Sequence, residues 1–159
     1  MPKKEEKTNV IRLLEQKGIS FSQHCYEGTG AVSGAEVAKV LNQDPDHVFK
    51  TLVTTGKSKE HYVFVIPVLC SLSLKKAASA VGEKSIGMLP QKELLPLTGY
   101  IHGGCSPVGM KKFFKTVFDE TALLYDTVMF SAGKIGYQVE MSPVELEKII
   151  PVSFCDITE

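Results

Sequence analysis

The segment HVFKTLVT, residues 47–54, sets a lysine inside a run of apolar and β-branched residues. Period-two alternation puts Val48, Lys50, Leu52 and Thr54 on one face of a strand, and Phe49, Thr51, Val53 and Thr55 on the other. An ammonium held by so stiff a segment has two outlets. Either it lies on an edge strand with its head in water, or it stands at the mouth of a pocket, aimed at an anion or a polarised carbonyl. In the second case it must meet acceptors, because an unpaired buried ammonium is strongly unfavourable.

Two glycine-bearing stretches offer the complementary chemistry. In GGCSPVG, 103–109, Gly103 and Gly104 let the backbone approach a ligand, and their amides can form a nest for an oxygen. Ser106 adds a hydroxyl and Pro107 stiffens the turn. Cys105 is a thiol to which no histidine base can be assigned from the sequence. In SAGKIG, 131–136, Ile135 follows Lys134 where a phosphate loop of the GxxxxGK[ST] type needs Ser or Thr. That stretch reads better as a hairpin loop carrying Ser131 and backbone amides to one end of a sheet. For both stretches the plain structural alternative is a turn.

The bulk composition limits what these groups can serve. With 159 residues, 43% of them hydrophobic and 23% charged, the chain fits one globular domain, 1–159. Lys plus Arg and Asp plus Glu are 18 each, which weighs against a dedicated high-affinity nucleic-acid binder. Arg12 is the only arginine, so lysines must do any anion binding as point charges. Lys75, Lys76, Lys111, Lys112 and Lys115 form either a modest basic rim or ordinary solvated faces. Cys25, Cys70, Cys105 and Cys155 include no CxxC pair, and His24, His47, His61 and His102 no HxH or HxxxH spacing. No metal and no cofactor is expected. YVFVIPVL at 62–69 is too short to span a bilayer, and MPKKEEKTNV has no apolar signal region. A cytoplasmic protein without membrane contact is the expectation.

Several elements must position these groups. Helix is expected over 8–16, ended by Gly18, and strand over 19–26. Ser33 and Glu36 form a capping box before a helix that stops near Asn42. Asp44 and Pro45 start a single turn, followed by a hairpin of strands over 48–68. A helix at 72–82 stops at Gly82, with a short strand near 85–88 and a short helix at 90–95. Strands follow at 115–118, 126–130 and 137–141, the last two joined by the 131–136 loop. Ser142 and Glu145 read as a second capping box with Pro143 in the first turn, and 152–157 as a last strand. The irregular order predicts α+β, with a curved mixed β-sheet, a partial barrel, flanked by helices.

Taken together, ISFSQHCYE, VFKTLV, GGCSPVGMKK and SAGKIGYQVEMSP resemble the YbaK/EbsC family of aminoacyl-tRNA deacylases, from about residue 9 to residue 157. The resemblance implies the fold of the domain associated with prolyl-tRNA synthetase. It also implies trans-editing, the hydrolysis of cysteine wrongly esterified to proline tRNA, or also Cys-tRNA(Cys). A synthetase pocket separates amino acids of similar size poorly, so a second hydrolytic site restores accuracy. By motif, Lys50 matches the essential strand lysine, and Gly103, Gly104, Ser106 and Pro107 the GG-x-SP loop. Tyr26 matches the tyrosine ending the first strand, and Ser131, Gly133 and Gly136 the second loop. Gln138 stands where some members carry an aspartate; it can donate and accept hydrogen bonds but cannot act as a base. The implied partners are the acceptor end of an aminoacylated tRNA and prolyl-tRNA synthetase. The implied reaction is attack of the substrate's own thiol on its carbonyl. Two other readings stay open: a deacylase for another misacylated tRNA such as Ala-tRNA(Pro), and a non-catalytic binder of nucleotide or acceptor-stem ligands.

Overall fold

The computed structural model describes residues 7–159, so the first six residues of the expected single domain lie outside the described residues. Local signals act much as their chemistry dictates. Thr8 caps α1, Asn9–Gln16, by accepting the Ile11 amide, and the helix buries Val10, Ile11 and Leu14. The Ser33–Glu36 capping box is complete at the start of α2, Gly34–Val40. Asp44 caps a one-turn 3-10 helix, Pro45–His47. Ser73 caps α3, Leu74–Val81, which ends on Gly82 at φ +73°, a left-handed conformation that favours glycine. The helix expected at 90–95 is a 3-10 turn, Gln91–Glu93, running into α4, Leu94–Thr98.

The strands are β1 Phe21–Cys25, β2 Phe49–Gly56, β3 His61–Pro67 and β4 Ile86–Met88, then β5 Lys115–Asp119, β6 Val128–Ser131, β7 Tyr137–Met141 and β8 Val152–Cys155. They form two sheets rather than one. The larger has the order β4-β2-β3-β5-β8 and the smaller β1-β7-β6. The larger is mixed: β2 pairs antiparallel with β3 and β4, whereas β3–β5 and β5–β8 are parallel. A single parallel bridge, Val48 to Met129, links the sheets, and they do not close into a barrel. The α+β class with a mixed sheet is therefore as expected.

The main core lies between the sheets. Phe49, Val53, Val63, Val65 and Phe118 meet Phe130, Tyr137, Val139 and Met141, with α1 closing one side. Phe118 sits among Phe49, Phe130 and Phe154 at centroid separations of 6.0–6.2 Å. On the opposite face of the large sheet, α3 packs Ala77 and Ala78 on Phe64, Ile66 and Val117. A third cluster joins Ala38 of α2 to Val48 and Met129. Thus α2 covers the outer face of the small sheet where the sheets meet.

Two local details differ from the sequence reading. Ser142 makes no capping hydrogen bond, and Pro143–Lys148 is a 3-10 helix held by its own turns and by buried Pro143 and Leu146. A 3-10 turn at Glu120–Leu124, capped by Asp119, went unforeseen.

Candidate active site

The register of β2 builds the site. β4 pairs only with Thr54, Thr55 and Gly56. Beyond them that edge of β2 is met at Val53, whose carbonyl accepts the Leu89 amide, and at Val48, by the bridge to Met129. Between these contacts the edge opens on a cavity of about 540 Å³. Its walls come from β2, from α2 and the loop before it, from the 88–94 segment, and from the 102–105 turn. Tyr26, Ser131 and Gln138 complete it.

Lys50 lines this cavity and is half-buried. Among the described residues it has neither an ion-pair nor a hydrogen-bond partner. Its face of β2 is shared with Val48, which packs on Met129 and Ala38, and with its cross-strand partner Ile66, which belongs to the cluster under α3. The open alternative, a lysine on an edge with its head in water, and the pocket lysine turn out to be compatible. The edge is open, and the cavity lies along it.

The small sheet supplies the facing polar wall. Ser131, Gln138 and His24 are cross-strand partners and share one face, the face on which Met129 meets α2. The Gln138 Oε1 atom is buried with no hydrogen-bond partner, as is Thr51 Oγ1 on β2. Both residues line the cavity. Buried acceptors left unpaired are costly, and here they adjoin space large enough for a ligand. The Ser131 hydroxyl accepts the Gly133 amide at 3.1 Å.

The glycine loops divide between wall and scaffold. Gly103 is exposed at φ +88° and lines the cavity. Neither its amide nor that of Cys105 donates to an acceptor among the described residues. By contrast, the Gly104 amide donates to the Ile101 carbonyl at 3.0 Å, and a Cβ there would lie 3.2 Å from the Ile135 nitrogen. Gly104 therefore lets the two loops touch. Ser106 is fully buried, its hydroxyl accepts the Val108 amide at 3.3 Å, and it lies outside the cavity wall. Pro107 faces a different cavity. A Cβ at Gly133 would lie 3.0 Å from Val10 Cγ2, so that glycine faces the core. The Gly136 carbonyl accepts the Tyr26 amide at 2.7 Å, which fixes Tyr26 against the second loop. Tyr26, Lys50, Gly103, Ser131 and Gln138 thus come together, while Gly104, Ser106, Pro107, Gly133 and Gly136 stand behind them.

Cys105 lines the cavity, but burial pushes its thiol pKa up to about 12. It is a neutral thiol near pH 7 and a poor nucleophile. Among the described residues no group of three or more His, Cys, Asp or Glu could hold a metal ion, and no helix is long and apolar enough to cross a membrane. Thr51 and the apolar wall of Val37, Leu89 and Leu94 carry no motif, so sequence reasoning missed them, and within the GG-x-SP loop it weighed Cys105 for its thiol and not for its amide.

The class this fold and site define is that of the editing domains. The profile of the aminoacyl-tRNA editing domain matches residues 29–149, and the chain belongs to that family. It is 40% identical over 157 residues to EbsC of Enterococcus faecalis, a protein named as a Cys-tRNA(Pro)/Cys-tRNA(Cys) deacylase, covering 98% of this chain and 96% of that one. Solved structures agree in fold. Hypothetical protein APE2540 matches with TM-score 0.84 at 24% identity, over 94% of this chain and 99% of its own. A protein described as a trans-editing enzyme for prolyl-tRNA synthetase matches with TM-score 0.82 at 24% identity, over 96% and 98%.

Proposed function

We propose that this chain is an aminoacyl-tRNA deacylase that removes cysteine from Cys-tRNA(Pro), and from Cys-tRNA(Cys), in the cytoplasm beside prolyl-tRNA synthetase. The observation that carries the reading is the meeting of an unpaired lysine, two unpaired amides and two orphaned acceptors on one cavity. The near full-length likeness to a protein named for this activity supports the choice of substrate.

The chemistry follows from the donor set. An aminoacyl ester needs modest help, and each amide aimed at a developing oxyanion contributes about 3–4 kcal/mol. The Gly103 and Cys105 amides are the free donors for that oxygen. Gln138 Oε1 and Thr51 Oγ1 are acceptors for the substrate's α-amino group. The Lys50 ammonium offsets negative charge at the ester or the adjoining ribose-phosphate. Cys105 is a poor nucleophile, and the substrate carries its own: the cysteinyl thiol. Its sulfur bonds to the carbonyl carbon, the C–O ester bond breaks, and the thiol proton passes to the departing ribose oxygen. The products are a cyclic thiolactone and free tRNA. Proximity, with the substrate held against the apolar wall of the cavity, is the main contribution.

A deacylation panel tests this. Wild type should clear Cys-tRNA(Pro) and leave Pro-tRNA(Pro) intact, with Ala-tRNA(Pro) cleaved at least ~10-fold more slowly. Equal turnover of Ala- and Cys-tRNA(Pro) would overturn the cysteine assignment, and no turnover of any aminoacyl-tRNA would overturn the enzyme.

A further inference from the structure

The chain has no net charge, yet no carboxylate occurs between Glu93 and Asp119, a stretch holding three lysines. This stretch walls two cavities among the described residues. Its first half gives His102, Gly103 and Cys105 to the site described above. Its second half, with α1 and the 149–150 segment, walls a second cavity of about 380 Å³. Pro107 lines the second cavity and Cys105 the first, and two residues span at most ~7 Å of chain. The cavities are therefore back to back across one turn.

The second cavity has an unusual surface. Lys17, Lys111 and Lys112 line it and no Asp or Glu does, while Met110 and Phe114 supply apolar floor. All three lysines are exposed. Lys111 is steadied by the Pro96 carbonyl at 3.3 Å. Phe113, next to Lys112 in the chain and in the same lining, is 78% exposed, an aromatic ring in water with no ring partner among the described residues. A large exposed aromatic beside point-charge cations suits a ligand with both flat faces and phosphates.

We infer that this second cavity docks the single-stranded 3′ end of the substrate RNA, one base stacking on Phe113 and phosphates lying against Lys17 and Lys112. The inference rests on the deacylase reading and adds to it the surface that holds the RNA upstream of the reacting ester. A neutral protein thereby holds its RNA without a general basic excess. Docking is weak and local, and the strand is directed across the 102–107 turn to the first cavity.

The test compares two substrates that share the reacting ester: Cys-tRNA(Pro), and 3′-cysteinyl adenosine, which keeps the terminal nucleoside but lacks the upstream bases and phosphates. Phe113→Ala and the double variant Lys17→Ala/Lys112→Ala should each raise KM for Cys-tRNA(Pro) about tenfold at unchanged kcat. Both should turn over cysteinyl adenosine at the wild-type rate. The lysine variant should also lower the log–log salt slope of uncharged-tRNA binding, read by filter retention, by about 1–2. Unchanged KM and unchanged salt slope would overturn the inference. So would equal losses on both substrates, which mark a structural role, or a defect seen only with prolyl-tRNA synthetase present, which marks a protein-docking face. If wild type cleaves neither substrate, the deacylase reading fails by itself. The filter-binding arm then still decides whether this surface holds RNA.

Discussion

Gln138 and Glu140 lie two residues apart on the same face of β7, and they are treated oppositely. Glu140 is fully engaged: its carboxylate meets His24 Nε2 at 2.9 Å and accepts the Thr127 hydroxyl. Burial alone would raise its pKa. The hydrogen bonds from Thr127 and His24, together with the charge of His24 and His47, outweigh that and hold it below the ordinary 4.5. Gln138, deeper and only 7% exposed, leaves its carbonyl oxygen unpaired. The fold evidently can satisfy a buried polar side chain on this face. Where it does not, a cavity and an unpaired lysine stand alongside. One end of the strand is built for stability, and the other is held ready for a ligand.

That contrast predicts opposite responses. On this strand the larger effect is expected from Gln138→Leu, which should slow Cys-tRNA(Pro) deacylation about 10- to 100-fold. The same variant should leave thermal stability unchanged or raise it, because an orphaned acceptor is removed. A variant that loses activity and stability together would break the comparison. Glu140→Gln should do the reverse: thermal unfolding loses about 1–2 kcal/mol, and activity at low temperature stays within about threefold of wild type.

Acid sharpens the same point. A carboxyl depressed in the folded state contributes stability that is present above its unfolded value and lost as pH falls through the folded value. The stability gap between wild type and Glu140→Gln should therefore be full above about pH 5. It should shrink in urea titrations as the pH drops below 4.5. A gap that widens in acid would contradict the assignment. The smallest effect is expected from Ser106→Ala, which removes the acceptor for the Val108 amide. It should cost about 1 kcal/mol of stability and less than about threefold in deacylation, read on folded protein.

The comparison also explains what was legible in the sequence. Caps, stops and hairpins are written in neighbouring residues, so the Ser33–Glu36 box, the Gly82 stop and the β2–β3 and β6–β7 hairpins could be read directly. Pairings that cross the chain could not be. β1 finds β7 over a hundred residues away, and β3–β5 and β5–β8 run parallel without any local signature. The second box failed because Pro143 starts a turn that tightens to 3-10, leaving Ser142 without a role as cap. In the site, Lys50 stood out because a charge interrupts an apolar strand. Gly104 and Ser106 share their motif with Gly103 but face inward, and orientation within a loop depends on what packs behind it. Gln138 is singled out by the resemblance, whereas Thr51 stands out only once burial shows that its hydroxyl lacks a partner.

The central claim is that the unpaired ammonium of Lys50 serves the reaction in this cavity. It is tested most directly by single-turnover deacylation of Cys-tRNA(Pro) with wild type and Lys50→Ala, with unfolding followed on the same samples. A rate at least ~100-fold lower in the variant, at unchanged unfolding temperature, is the predicted result. A folded variant as fast as wild type would contradict the account.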